Sequence, residues 1–313
     1  MLNIAALQKK YSDWLAPDFE ILLAHAIAKP KEFLFTHPEY RPTTLKRLRL
    51  AYFLYLKKLG WSVANITHHK EFYGLDFYVN RHTLIPRPET ELMVEEVVKR
   101  IWTTDYRLQT TAQPSRSPST VVLIDVGTGT GCIPISIIKT LKQENIKTIA
   151  TDISRSTLRV ARRNARTHKV FINFLHGNLL EPIARNYELL AMNYELVIIT
   201  ANLPYLTAEQ FAAEPSIQRE PRTALVGGKD GLTLYEELLQ QIKRLTDYGL
   251  RTTAQPSRSL SAVVCSLVVF FEIDPSQSHP ITTLIKNYLP QTIIEIKKDL
   301  AGRDRLVVVE LNS

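Results

Sequence analysis

Val121-Val122-Leu123-Ile124-Asp125-Val126-Gly127-Thr128-Gly129-Thr130-Gly131-Cys132 runs from an apolar segment into three glycines set two positions apart. A short apolar run bounded by turn residues predicts a buried strand. The glycines permit positive φ and close approach of the backbone to a ligand. A helix that begins after such a turn offers N–H groups with no partner in the helix. The spacing is G-x-G-x-G rather than the dinucleotide spacing G-x-G-x-x-G, which argues against a nicotinamide cofactor. Outward from this turn the chain alternates. Candidate strands fall at 121–126, 147–152, 171–175, 195–201, 263–273, 291–296 and 305–311, with helical stretches between most of them. That alternation predicts an α/β fold with a mostly parallel sheet covered on both faces. Ligands of such sheets sit at the carboxyl ends of the strands.

The candidate site residues cluster at those ends. Asp125, Gly127, Thr128, Gly129 and Gly131 form the first turn, and a carboxylate at Asp125 can hold the ammonium group of a methionine moiety. Asp152, with the adjoining Ile153, ends the second strand, where an acidic side chain can bind both ribose hydroxyls. Asn178 follows the third strand and can hydrogen-bond an adenine amine. The fourth strand runs into Asn202-Leu203-Pro204-Tyr205, where Asn202 is expected to touch the cofactor as well as the acceptor. There a carboxamide oxygen and a backbone carbonyl can each accept a hydrogen bond from one NH2 group, while an aromatic face stacks on the plane that carries it. A nucleotide-like cofactor beside a trap for a nitrogen nucleophile points to methyl transfer from S-adenosylmethionine to nitrogen. Plainer readings exist for each residue: a structural glycine turn, a helix cap at Asp152, an ordinary turn at Asn178 and at Asn202.

Residues 1–70 read as a small helical domain. Phe19, Leu22, Leu23, Ala26 and Ile27 recur at helical spacing, and a second run covers Thr44 to Lys58. Residues 71–90 change character: Phe72 to Val79 alternates and is rich in aromatics, which predicts a hairpin, and Pro86 and Pro88 fix an extended approach to the next helix. That helix is expected from Thr90 to about Trp102, and residues 91–313 form the remaining domain. The chain carries a net charge of +8, and residues 1–90 hold 13 Lys/Arg against 8 Asp/Glu, an excess of 5. A basic balance suits RNA or a ribosome-associated partner, or only a soluble basic surface. The basic helix Arg155, Arg159, Arg162, Arg163, Arg166 and Lys169 is more ordinarily a solvated face. His68-His69 lacks a third ligand at metal spacing. Cys132 and Cys265 read as small core residues, not as a disulfide or metal framework. No apolar stretch reaches the roughly 18 residues of a membrane span, and the first ten residues lack the apolar core of a signal peptide, so a cytoplasmic setting is expected.

One sequence occurs twice. Residues 104–122 and 246–264 match at 15 of 19 positions. Both copies are polar and fall between a helix and a strand, so they read as inserted surface loops near 104–120 and 246–262, with too little apolar content to order themselves.

With these motifs placed, the chain resembles the PrmC/HemK family, the glutamine-N5 methyltransferases of peptide-chain release factors. The resemblance spans nearly the whole chain. It is carried by Gly60 to Gly74, by Ile85-Pro86-Arg87-Pro88-Glu89-Thr90-Glu91, by Asp125 to Gly131, by Glu220-Pro221-Arg222-Thr223-Ala224-Leu225 with Gly227-Gly228-Lys229-Asp230-Gly231, and by Ala301-Gly302-Arg303-Asp304-Arg305. It implies a helical N-terminal substrate-recognition domain joined to a class I, Rossmann-like methyltransferase domain with a seven-stranded sheet. It implies S-adenosylmethionine as methyl donor and the Gln of the Gly-Gly-Gln loop of a class-1 release factor as acceptor. The family motif is usually Asn-Pro-Pro-Tyr, and Leu203 replaces the first proline here. Asn-Leu-Pro-Tyr is also typical of rRNA adenine dimethyltransferases. Asn178 stands where the family often has Asp.

Three rivals follow from these residues. An adenine-N6 methyltransferase acting on rRNA or DNA would use the same polar trap. A degenerate module would bind cofactor and a translation factor without catalysis. A nicotinamide-linked oxidoreductase is disfavoured by the glycine spacing.

Overall fold

The computed structural model describes residues 2–110, 121–142, 146–185, 196–252 and 266–311. Four helices open the chain: α1 (Ile4–Ile27), α2 (Glu32–Thr36), α3 (Thr44–Lys58) and α4 (Val63–Thr67). Their apolar positions converge on one core that includes Ile4, Phe19, Leu22, Leu23, Ile27, Leu34, Leu50 and Ile66. A hairpin follows, β1 (His69–Phe72) and β2 (Leu75–Tyr78). Tyr73 and Gly74 at its tip have φ of 52° and 68°. Two successive positive φ values twist a two-residue loop to match the strands. The hairpin buries Phe72 and Phe77 not with the helices but against the sheet that follows.

The remaining elements are α5 (Glu91–Thr110), β3 (Val121–Val126), α6 (Cys132–Leu141), β4 (Ile146–Asp152), α7 (Arg155–Thr167), β5 (Asn173–His176), α8 (Glu181–Ala184), β6 (Leu196–Ala201), α9 (Ala208–Ala213), α10 (Thr233–Thr252), β7 (Ser266–Glu272), α11 (Ser278–Tyr288), β8 (Thr292–Lys298) and β9 (Asp304–Leu311). Seven strands form one sheet in the order β5-β4-β3-β6-β7-β9-β8. The first five are parallel, and β9 is antiparallel to both neighbours. This is the mostly parallel seven-stranded α/β sheet expected from the strand–helix alternation. After β5 the chain returns to the far side of β3 and adds β6, so the switch point where such sheets bind ligands lies between β3 and β6.

Alternation along the strands sends side chains to two cores. Ile124, Val126, Ile199, Ala201, Val269 and Phe271 pack with α10 and α11. Val121, Leu123, Leu196, Ile198, Val268 and Phe270 pack with α5, α6 and the hairpin. Two-residue periodicity then puts Asp125, Thr200, Asn202 and Glu272 on this second face, at the carboxyl edge.

The duplicated sequence departs from its reading as loop. The first seven residues of each copy are helical: 104–110 close α5, and 246–252 close α10. Helix α5 thus passes Trp102, its expected end. Leu108 and Gln109 are good helix formers, and no proline interrupts the first copy before Pro114. The central parts of both copies, with Cys265, lie outside the described residues.

Candidate active site

The glycine turn is built by its neighbours on the sheet. Thr128 N–H donates to the Thr151 carbonyl of β4 at 2.9 Å, and Gly131 N–H closes back on the Thr128 carbonyl at 2.8 Å. Gly127, Gly129 and Gly131 have φ of 69°, 57° and 79°, values that a side chain would strain. At Gly127 a Cβ would also meet Leu203 Cδ2 at 3.2 Å, so the glycine turn and the Asn202–Tyr205 segment lie against each other. Gly131 caps α6 without a side-chain hydrogen bond, which leaves the first-turn N–H groups of that helix facing the same edge.

Two carboxylates flank this turn. Asp125 is 1% exposed. Its Oδ1 accepts from Thr200 Oγ1 at 2.7 Å, while its Oδ2 and the nearby Thr128 Oγ1 are buried without a protein partner. Burial pushes the Asp125 carboxyl up to about 7, against the Thr200 hydrogen bond and the nearby Thr128 hydroxyl, which favour its charge. Asp152 uses both oxygens, accepting from Gly129 N–H at 3.1 Å and from Ser154 N–H at 2.8 Å. Burial raises its pKa, and these backbone bonds oppose the rise. The cap of α7 is Ser154, which accepts from Thr157 N–H at 3.2 Å. Asp152 is therefore aimed by the glycine turn. Ile153 beside it leaves an apolar side chain 68% exposed.

Asn178 sits after β5, and its Nδ2 donates to Glu237 Oε1 of α10 at 2.5 Å. With the amine side so engaged, its carbonyl oxygen is the end left to accept from a ligand amine. The buried, unpartnered Asp125 oxygen and Thr128 hydroxyl, the glycine cradle and the aimed Asp152 are the groups that a nucleoside with an ammonium-bearing tail would satisfy. These groups fit S-adenosylmethionine in donor and acceptor chemistry.

On the other side of the switch point, Asn202 Nδ2 donates to Thr90 Oγ1 at 3.1 Å. Thr90 is 2% exposed and ends the 3-10 turn Pro88–Thr90. Asn202 Oδ1 is thereby directed away from Thr90. The Leu203 carbonyl lies 3.2 Å from the Tyr235 hydroxyl, which also contacts the Glu272 carbonyl at 2.5 Å. One hydroxyl proton serves one acceptor at a time, and the nearer is Glu272, so the Leu203 carbonyl can accept elsewhere. The Leu203 side chain is 3% exposed and joins the core. Pro204 and Tyr205 are held from behind. A Cβ on Gly227 would stand 1.9 Å from the Pro204 carbonyl oxygen. Gln277 Nε2 donates to the Tyr205 carbonyl at 3.0 Å. The flanking Leu206 exchanges backbone bonds with Leu225 and Gly227, each at 2.9 Å. Burial, then the charge of Glu272, raises the Tyr205 phenol above its ordinary range.

The expected site residues thus share one edge of the sheet. Four further residues that position them were not assigned roles from sequence: Thr90, Asn164, Glu220 and Tyr235. Asn164 of α7, 1% exposed, donates to the carbonyls of Tyr78 and Thr130 at 3.0 and 2.9 Å and accepts from Tyr78 N–H at 2.9 Å, tying the hairpin to the glycine turn. Glu220 accepts from Ile85 N–H at 2.9 Å and pairs with Arg87, which anchors the proline linker. The histidine pair is engaged locally: His69 Nδ1 meets Asp76 at 2.7 Å and His68 Nδ1 meets the Val79 carbonyl at 3.2 Å. Cys132 is buried, which pushes its thiol up to about 12.

The family described as "Methyltransferase small domain" matches residues 108–197. A release factor glutamine methyltransferase of Enterococcus faecalis is 36% identical over 243 residues, covering 77% of this chain and 72% of that protein. One of Bacillus anthracis is 28% identical over 294 residues, covering 93% and 91%. One of Rhodopirellula baltica is 29% identical over 308 residues, covering 97% and 92%. With this sheet, this edge and these relatives, the chain belongs to the release factor glutamine methyltransferase family.

Proposed function

We propose that the chain transfers a methyl group from S-adenosylmethionine to the side-chain amide nitrogen of the Gln in the Gly-Gly-Gln loop of a class-1 release factor. The observation that carries this reading is the carboxamide of Asn202, whose NH2 is held by Thr90 at 3.1 Å and whose oxygen is left to receive a donor. S-adenosylmethionine, when bound, supplies a methyl group on a sulfonium, ready for attack by nitrogen. Asp125, Thr128 and the free N–H groups after Gly131 would hold its amino-acid end. Asp152 would hold the ribose, and Ile153 and Asn178 would meet the adenine.

An amide nitrogen is a weak nucleophile because its lone pair is delocalised. Asn202 Oδ1 and the Leu203 carbonyl would accept the two N–H bonds of the acceptor. This fixes the nitrogen's position and stabilises the positive charge that grows on it. Pro204 keeps the turn stiff, and Tyr205 lies against the amide plane. Residues 1–70 would serve as a substrate-recognition domain, residues 71–90 as the hairpin and linker, and residues 91–313 as the methyltransferase domain. Modification of release factors places the reaction in the cytoplasm.

The test is incubation of purified protein with S-adenosylmethionine and release factors from its own source, with small-subunit rRNA in parallel and mass spectrometry to locate the methyl. Methylation of the Gly-Gly-Gln glutamine is expected. A methyl on adenine alone overturns the reading.

A further inference from the structure

Helix α7 and the residue after it carry Thr157, Asn164 and His168, at spacings of seven and four that share one helix face. Each holds backbone of the hairpin or of the segment just after it. Thr157 Oγ1 donates to the His82 carbonyl at 2.8 Å. His168 Nε2 donates to the Asp76 carbonyl at 2.8 Å. Between them, Asn164 engages both backbone groups of Tyr78, accepting from its N–H at 2.9 Å and donating to its carbonyl at 3.0 Å. The carboxamide thus exchanges with Tyr78 the pair of bonds that a neighbouring strand would. The guanidinium of Arg163 lies over the Tyr78 ring, 3.5 Å from its centre.

Asn164 alone of these three also reaches the glycine turn. Its Nδ2 donates to the Thr130 carbonyl at 2.9 Å. Asn164 and Thr130 are 1% and 2% exposed, so a bond broken here leaves a buried polar group unsatisfied. Both hydrogens of the NH2 are committed, and the oxygen is fixed by the Tyr78 N–H. The carboxamide therefore cannot rotate to serve one side alone, and a shift of the turn is passed to Tyr78.

The two ends of this bridge do different things. At the turn, Thr128 Oγ1 and Asp125 Oδ2 are buried without a protein partner. The positive-φ glycines give the same stretch of backbone room to move. A ligand that occupies those groups removes that freedom. At the other end, the hairpin leads both ways along the chain. β1 follows α4, and the His68 ring meets the Val79 carbonyl at 3.2 Å. β2 leads through the proline linker to Thr90, which holds Asn202. Fixing the hairpin fixes the approach to both.

Building on the cofactor reading above, we propose that Asn164 is a positioning residue that couples the glycine turn to the hairpin, so that binding of S-adenosylmethionine fixes the segment joining the helical domain to the acceptor site.

Amide hydrogen exchange of the full-length protein, with and without S-adenosylhomocysteine, reads this coupling, because the Tyr78 N–H is itself one of the bonds. Saturation with S-adenosylhomocysteine should slow exchange at Tyr78 and across residues 69–79 by about fivefold or more. In Asn164→Leu and Asn164→Asp, which lose the NH2, the ligand should still bind, with Kd by calorimetry within about threefold of wild type. Exchange in their hairpin should no longer respond to it. Thr157→Val cuts a bond to the following segment without touching the turn, so its hairpin should keep the full response to ligand. An Asn164 with a merely structural part would speed exchange equally in both states and leave the response intact, and that result overturns the proposal. A wild-type hairpin whose exchange is unchanged by bound S-adenosylhomocysteine also overturns it, whether or not the variants fold, and leaves the cofactor reading standing. Wild-type protein that binds no S-adenosylhomocysteine defeats the cofactor reading and the coupling together.

Discussion

At the scale of single residues, Asn202 separates binding from chemistry. Its NH2 is spent on Thr90, so only its oxygen is available to the acceptor, and none of its hydrogen bonds reaches the glycine turn. Asn202→Ala should lower kcat by about a hundredfold, the range seen when one preorganised polar group is removed from a transition-state site. S-adenosylmethionine affinity by calorimetry should change by no more than about threefold. Equal loss of both would assign Asn202 to cofactor binding alone. The residues of this site were legible in unequal measure. Asp125, Asp152 and Asn202 announce themselves because a polar residue ends an apolar run. Glu272 ends the run Leu267–Phe271 in the same way, and the same rule would have found it. Thr90 carries no such mark. Its partner lies 112 positions away, and only the fold brings the linker beside β6.

At the scale of elements, the prolines of 85–91 matter because something holds them. Glu220 is 7% exposed and binds Ile85 N–H and the Arg87 guanidinium together. It fixes the approach to Thr90 and through it the orientation of Asn202. Glu220→Ala would leave a backbone donor and a half-buried cation without their acceptor, which costs about 2–4 kcal/mol. Urea denaturation should show that loss, and kcat should fall while S-adenosylmethionine affinity holds. A variant as stable as the parent would mean that the linker is fixed elsewhere. Apart from the start of β7, where 263–265 lie outside the described residues, the strands were readable within about two residues, since an apolar run between turn residues has few other uses. Helix α5 was not. Its expected end at Trp102 rested on the change to polar sequence, but polar residues extend a helix as readily as they form a loop when no proline or glycine intervenes. The pairing of Glu220 with the linker is tertiary, across 133 positions, and periodicity cannot carry it.

At the scale of the whole molecule, the edge that makes the site also burdens the fold. Asp125 and Glu272 are both buried, and both carboxyls are pushed up to about 7 from ordinary values of 3.8 and 4.5. A carboxyl whose pKa is raised on folding binds its proton more tightly in the native state. Its contribution to stability is therefore greatest in acid and declines as pH rises from the unfolded value through the folded one. For Glu272 that interval runs from 4.5 to about 7, and at about 1.4 kcal/mol per pH unit the decline amounts to roughly 3 kcal/mol. Acid also increases the repulsion among the charges of a chain that is already +8, so the wild-type curve alone mixes opposing trends. The difference between wild type and Glu272→Gln isolates the one carboxyl, since the other charges are common to both. Without cofactor, which would shift both curves by mass action, Glu272→Gln should melt several degrees above wild type at pH 8. The two curves should converge near pH 5, where the wild-type carboxyl is neutral as well. Calorimetric melting across that range checks this. A gap that is constant with pH would mean that Glu272 is neutral throughout, and a gap of opposite sign would mean that its ionised form is held favourably by Arg305 and Arg87. Convergence would identify a carboxylate that ionises in the folded protein at the expense of its stability.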